Sequence, residues 1–401
     1  MLAALLADHP QRHQIERSVV SLLEISRTCR DENDWRLIHG ALADIREGLG
    51  AFHPHRRSRK VTVFGSARTG RQDPAYGLAE ALAREAVLAG FEVMTGAGGG
   101  IMEAANRGAG SESSIGLNVD LPMEQHANRY VSGPDGRLLQ FRYFFTRKLF
   151  FLRESDALVV LPGGFGTLDE LFESLTLIQT GRTPPIPLVL LSPPGDRFWQ
   201  DWFHEAQQQL VSRSLIAAED YSLLHVAHSA RDAIAQICRF YRVYHASRFS
   251  DDRLELLLHG ALAGPMLAEL NREFVDLCEE GTISAGESCD DSGLLRPCLR
   301  LKPDKRRIGR LYQLINRLNQ LDLAPGGPLQ PPGQREPERL QPDLAPSALR
   351  QPHTLPPNTR RLKTSKPSSD LAETAPLEAA PPQTPLPETG FPGPAPGPLP
   401  L

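Results

Sequence analysis

Residues 157–170 read Ala157-Leu158-Val159-Val160-Leu161-Pro162-Gly163-Gly164-Phe165-Gly166-Thr167-Leu168-Asp169-Glu170. Five apolar residues without a polar interruption suit a strand buried on both faces. The glycines that follow end the strand. Leu168, Leu171, Phe172 and Leu175 then recur at helical spacing. The same unit appears on either side. Val61 to Phe64 ends at Gly65-Ser66 and precedes a helical stretch from Pro74 to Ala89 that Gly90 stops. Phe91 to Thr95 ends in Gly96-Ala97-Gly98-Gly99-Gly100, with a helix from Ile101. Ile115 to Val119 and Ile186 to Leu191 are further strands. Strands alternating with helices predict an α/β fold, a Rossmann-like doubly wound parallel sheet covered on both faces.

The flanks have different character. Residues 1–55 carry apolar residues at helical spacing and read as a helical N-terminal extension, broken at His53-Pro54-His55. The Rossmann-like domain occupies 56–245. Residues 246–321 read as a mostly helical C-terminal extension containing a basic stretch, Arg300 to Arg317. That stretch is either a solvated helix face or a phosphate- or partner-binding surface. Beyond Asp322 the composition turns to Pro, Gly, Ala, Gln and Ser, and 21 of the chain's 35 prolines fall there. Such a segment cannot build ladders or offset chain entropy, so 322–401 is expected to be a disordered, dispensable tail.

Bulk properties narrow the function. A net charge of -4 gives no electrostatic case for nucleic acid as a partner. Five widely spaced cysteines without a C-x-x-C pair argue against a disulfide framework and a zinc site, and for a reducing cytoplasm. No apolar run reaches the ~18 residues that a membrane span needs.

In open parallel sheets, ligands sit at the carboxyl ends of the strands. Three turns there can carry chemistry. Gly65-Ser66 lets a ligand approach the backbone and offers a hydroxyl. Gly98, Gly99 and Gly100 can converge their N–H groups on an anion at a helix start, with Glu103 one turn in. No Lys-Ser/Thr follows, so this is not a P-loop. Ile101 stands where a dinucleotide fingerprint needs glycine. Gly163, Gly164 and Gly166 with Thr167 form a second anion cradle. Glu170 has two readings. It closes a capping box with Thr167, or its carboxylate reaches a ribose. Upstream, Phe141-Arg142-Tyr143-Phe144-Phe145-Thr146-Arg147-Lys148 puts rings beside cations. That suits a nucleotide, or an aromatic core strand with a polar end.

Pro162 to Glu170 matches P-G-G-x-G-T-x-x-E, and the chain thereby resembles the Lonely Guy family, the cytokinin riboside 5′-monophosphate phosphoribohydrolases often mislabelled lysine decarboxylases. The resemblance covers residues 60–245, including Thr95 to Ala109, Leu121 to Gln125 and Leu175 to Thr180, and looks like the longer bacterial branch. It implies hydrolysis of a purine nucleoside 5′-monophosphate to base and ribose 5-phosphate, without metal or other cofactor, in a homodimer or larger homo-oligomer. By motif position it implies Arg147 and Glu170 as the catalytic pair and Gly99, Gly100, Gly163, Gly164, Gly166 and Thr167 as its phosphate-binding turns, while Lys148, beside Arg147, is read with the nucleotide site. Gly99-Gly100 departs from the Pro-Gly frequent in relatives, and Arg129 stands where proline is common. The alternative is a carrier of molybdenum cofactor or a nucleotide-sensing regulator on the same fold.

Overall fold

The computed structural model describes Leu6 and residues 8–120, 126–132, 137–250, 253–321 and 333. The Leu121 to Gln125 block and, apart from Gly333, the Pro-rich tail lie outside the described residues.

Two helices open the chain, α1 (Arg12–Thr28) and α2 (Glu32–Phe52). Asp31 caps α2 by accepting from the Asn33 amide at 2.7 Å. The units of strand and helix follow: β1 (Lys60–Phe64), α3 (Pro74–Leu88), β2 (Glu92–Thr95), α4 (Ile101–Ala109), β3 (Ser114–Val119), β4 (Arg137–Phe141), α5 (Phe144–Glu154), β5 (Ala157–Val160), α6 (Phe165–Gln179), β6 (Leu188–Leu191), α7 (Phe198–Ala206), β7 (Leu224–Ala227) and α8 (Ala230–Phe240). α3 starts where Asp73 accepts from the Ala75 amide and Pro74 sits at the first helical position, as its missing N–H permits.

The seven strands form one parallel sheet in the order β4-β3-β2-β1-β5-β6-β7. Winding runs outward from β1 to β4, then returns to β5 beside β1 and continues the other way. The reversal between β1 and β5 is the crevice where doubly wound sheets hold ligands. Val61, Val63, Leu158, Val159 and Val160 are fully buried, as strands covered on both faces must be.

The C-terminal region departs from expectation. Residues 244–303 hold a four-stranded antiparallel sheet, β8 (Tyr244–Ser250), β9 (Arg253–Leu258), β10 (Cys278–Cys289) and β11 (Leu295–Pro303), in the order β10-β11-β9-β8. Only α9 (Gly264–Glu273) and α10 (Ile308–Leu318) are helical there. The mostly helical reading of 246–321 is therefore corrected. The run Arg253-Leu254-Glu255-Leu256-Leu257-Leu258 is rich in good helix formers. The burial of Leu254, Leu256 and Leu258 in the sheet's core overrides that propensity.

The basic stretch divides between β11 and α10, and its charges are matched locally. Arg300 pairs with Glu255, Arg306 with Asp304, Arg307 and Arg310 with Asp276, and Arg317 with Glu269. That arrangement is an ion-paired surface shared by a strand and a helix. Among the described residues no helix is long and apolar enough to cross a membrane, and no His, Cys, Asp and Glu cluster could hold a metal ion.

Candidate active site

Three loops meet at the crevice, and Ser66 joins them. Its amide donates to the Pro162 carbonyl at 3.2 Å, which ties the first turn to the third. Its own carbonyl accepts from Ile101 N at 3.0 Å, which ties the first turn to the start of α4. Its hydroxyl accepts from the Arg68 amide at 3.1 Å. A Cβ on Gly100, which has a φ of 61°, would collide with the Ser66 carbonyl oxygen. A Cβ on Gly163 would collide with the Thr167 hydroxyl. Glycine is required at both positions because backbone or side chain approaches too closely for anything larger.

The turns leave donors unused. The amides of Gly98, Gly99 and Gly100 donate to none of the described residues, nor do those of Gly163, Gly164 and Gly166. Gly100 is the N-cap of α4 and Gly164 that of α6, and neither helix has a side-chain cap. Two helix starts thus present open N–H groups and positive dipole ends at one crevice, a setting for an anion.

The N-cap position also separates the two readings of Glu170. A capping box would place Thr167 at the N-cap, but α6 begins at Phe165, and Thr167 already lies inside it, its amide bonded to the Gly164 carbonyl at 3.0 Å. Glu170 is one turn further on and does not reach back to cap the helix. It is only 7% exposed, as is Thr167. Its partner is Arg147, whose Nη2 lies 3.8 Å from Glu170 Oε1. Burial pushes the Glu170 carboxyl up to about 7 against the opposing pull of Lys148 and Arg147. Burial likewise lowers the Arg147 guanidinium, with Glu170 and Asp169 pulling the other way.

Arg147 belongs to a helix, not to the aromatic core strand that its neighbours allowed. It lies over the rings of Phe144, at 4.9 Å, and Phe151, at 5.5 Å. Its Nη1 approaches the site of a Cβ on Gly96 at 3.9 Å, so it spans from the second glycine turn to Glu170. Its buried Nε has no hydrogen-bond partner among the described residues.

Two expected nucleotide ligands are otherwise engaged. The Lys148 ammonium lies 2.7 Å from both Asp169 and Glu173. Burial lowers this ammonium, but the two carboxylates outweigh it and raise it. Lys148 thus braces α5 against α6. Glu103 pairs with the exposed Arg71 at 2.5 Å.

Sequence reasoning missed two supporting residues. Asp44 of α2, buried, accepts from the Arg142 amide at 2.9 Å, the Tyr143 amide at 3.3 Å and the Thr146 hydroxyl at 2.7 Å. A carboxylate from the N-terminal extension thereby anchors the entry to the helix that carries Arg147, at its positive end. Asn128 binds the second glycine turn through Ala97 and Gly98. Neither has a local sequence signal, because each acts across the fold.

A family model described as "Possible lysine decarboxylase" matches residues 100–237. The chain is similar to the rice (Oryza sativa subsp. japonica) protein named cytokinin riboside 5′-monophosphate phosphoribohydrolase LOG. The two are 27% identical over 201 residues, which is 49% of this chain and 80% of that protein. It is 30% identical over 137 residues to the Arabidopsis thaliana protein named "Probable cytokinin riboside 5′-monophosphate phosphoribohydrolase LOG6", 33% of this chain and 67% of that one. Of the rice protein named "Probable cytokinin riboside 5′-monophosphate phosphoribohydrolase LOGL5", 31% identical, the chain spans only 56%. Among solved structures it is similar in fold alone to the molybdenum cofactor binding protein of Rippkaea orientalis, with TM-score 0.33 and 19% identity over 45% of this chain and 96% of that one.

Proposed function

The chain belongs to the Lonely Guy family, and from that premise we propose that it hydrolyses the N-glycosidic bond of a purine nucleoside 5′-monophosphate, of the adenosine or cytokinin type. Water adds across the bond: the base leaves with a proton and ribose 5-phosphate keeps the hydroxyl. The observation that carries this reading is the pairing of two sets of glycine amides that donate to none of the described residues with the Arg147–Glu170 pair, its carboxylate buried.

Each part has a task in that reaction. The open amides at the starts of α4 and α6 hold the 5′-phosphate. Cleavage passes through an oxocarbenium-like state, which negative charge near the ribose favours. Glu170, when ionised, supplies that charge, orients the ribose hydroxyls and takes a proton from the attacking water. A carboxyl held near 7 suits this work at neutral pH. Arg147 stabilises the departing base and holds Glu170 in place. Lys148, committed to Asp169 and Glu173, is free neither as a nucleophile nor as a phosphate ligand.

Phe145 and Leu149 on α5, and Phe165 and Phe172 on α6, are exposed. Exposed apolar side chains on these two helices support a homodimer or larger assembly, which sedimentation of the full chain tests.

The decisive experiment incubates the protein with AMP and follows adenine and ribose 5-phosphate, with adenosine as control. AMP should be hydrolysed and adenosine at least ~100-fold more slowly, since remote phosphate binding positions the ribose for attack. Equal rates on the two would refute the phosphate cradles. Binding of AMP without turnover would leave a carrier or regulator.

A further inference from the structure

The second glycine turn contains a residue in an unusual backbone state. Ala97, fully buried, has a φ of 63°, in the left-handed region that alanine rarely occupies. Such a conformation persists only where the surroundings over-determine it, and it is a pointer to function when found. Three bonds hold Ala97 there. Its amide donates to Thr95 Oγ1 at 3.0 Å. Its carbonyl accepts from the Asn128 backbone amide at 2.7 Å and from Asn128 Nδ2 at 3.0 Å.

Asn128 extends the grip in both directions. Nδ2 also lies 3.0 Å from the Gly98 carbonyl and 2.9 Å from Asn106 Oδ1, and the side-chain oxygen accepts from the Tyr130 amide at 3.2 Å. The Thr95 hydroxyl donates to the same Asn106 oxygen at 2.7 Å, which closes the network between β2, α4 and the segment before β4. The residues that follow Ala97 are Gly98, Gly99 and Gly100, whose amides donate to none of the described residues. Carbonyls pinned on one side of a turn leave its N–H groups aimed at the other.

We propose that Asn128 is a positioning residue: with Thr95 and Asn106 it forces Ala97 into the left-handed conformation and so holds the Gly98–Gly100 amides in place for the 5′-phosphate of the substrate. This rests on the nucleotide reading of the site. It assigns to the segment before β4 a role in recognising the phosphate group, not the base or the glycosidic bond.

The test uses the full chain and two readouts. Direct binding of ribose 5-phosphate, by calorimetry, does not depend on turnover. Steady-state rates on AMP and adenosine report the reaction. Asn128→Ala should weaken ribose 5-phosphate binding and raise the KM for AMP by roughly 10–30-fold, the loss of one or two hydrogen bonds' worth of preorganisation. The kcat on AMP should stay within about 3-fold, and kcat/KM on adenosine should fall several-fold less than kcat/KM on AMP, because the nucleoside has no phosphate to place. Asn128→Asp, which keeps the acceptor for Tyr130 and loses the donors, should behave like Asn128→Ala. Ala97→Gly added to Asn128→Ala should recover affinity at least ~3-fold, since glycine takes positive φ without the cost. Should Asn128→Ala not fold, Thr95→Val removes the other restraint with little change of shape and should weaken binding in the same way. Unchanged affinity for ribose 5-phosphate, equal losses on AMP and adenosine, or no recovery with Ala97→Gly would each overturn the proposal. A wild-type chain that binds ribose 5-phosphate and releases no base would sink the enzyme reading alone, and the binding arms would still judge Asn128. A wild-type chain that binds no ribose 5-phosphate overturns both.

Discussion

Arg147 Nη2 stands 3.8 Å from Glu170 Oε1, and the two groups, one half-buried and the other buried, arrive on different helices. The entry to α5 is anchored from outside by Asp44, and α6 begins at a glycine with no side-chain cap. The pair is therefore a product of tertiary structure. At 3.8 Å it is a loose ion pair rather than a close hydrogen bond, which leaves both groups capacity to bind something else.

The pH dependence of stability follows from Glu170. Its carboxyl is raised from 4.5 to about 7, chiefly by burial. Between those values the folded chain keeps a proton that the unfolded chain has lost. The stabilisation is full below about 4.5 and is lost as pH rises through about 7, a change on the order of 3 kcal/mol. Glu170→Gln removes this dependence. Its Tm should therefore rise relative to wild type as pH goes from 4.5 to 8. A Tm difference that does not vary with pH would show that Glu170 has no raised pKa. In wild type, kcat/KM on AMP should climb with pH toward a plateau above about 7 as the carboxylate forms.

The glycines of the turns should differ sharply in tolerance. Gly100→Ala meets a backbone oxygen and a positive φ together, and should cost roughly 2–4 kcal/mol. Gly163→Ala meets Thr167 and should also destabilise. A Cβ on Gly164 or Gly166 meets nothing within 4 Å, so Ala there should melt within about 2 °C of wild type. Melting curves of the four variants check this, and a loss at Gly164 equal to that at Gly100 would contradict the geometry.

Gly333 alters the expectation for the tail. This residue is buried, accepts from the Arg59 amide at 2.9 Å and donates to the Ala89 carbonyl at 3.2 Å. A chain ending at Leu321 loses both bonds, and two backbone bonds contribute about 1–3 kcal/mol. A chain ending at Gln341 keeps them and should melt with the full-length protein, whereas the shorter one should melt several degrees lower. Identical melting of the two truncations would return the whole tail to the dispensable class.

The parallel sheet was legible because Val61 to Phe64 and Ala157 to Leu161 are apolar runs with glycine at the end, a pattern set by burial on both faces. β4 and β7 gave weaker signals: Arg137, Gln140 and His225 interrupt them, and neighbouring strands define them. β9 misled because leucine and glutamate prefer helix until a sheet partner buries them. The glycine turns and the residues Arg147 and Glu170 were visible as motifs. Their supports were not: Asp44 lies 98 residues from Arg142, and Asn128 lies 30 residues from Gly98. Spacing also allowed a capping box at Thr167 and Glu170, and only the observed helix start at Phe165 removes it.

With the cap excluded, the substitution series on the pair becomes sharper. Glu170 makes no helix-terminal bond, so Glu170→Gln should leave α6 intact and AMP bound, with the amides of both glycine turns untouched. If the carboxylate takes the proton of the attacking water, turnover should fall by roughly 10²–10⁴, the usual contribution of a positioned base. Arg147→Ala should lose a comparable factor, because it removes the charge beside the leaving base and frees Glu170 to move. The two groups touch, so their effects should not add: the double variant should be within about 10-fold of the worse single one. Independent roles would instead multiply the two losses. Adenine release, AMP affinity and Tm measured on the same four proteins separate the cases. A Glu170→Gln protein that is stable, binds AMP and turns over at the wild-type rate would remove Glu170 from the chemistry altogether.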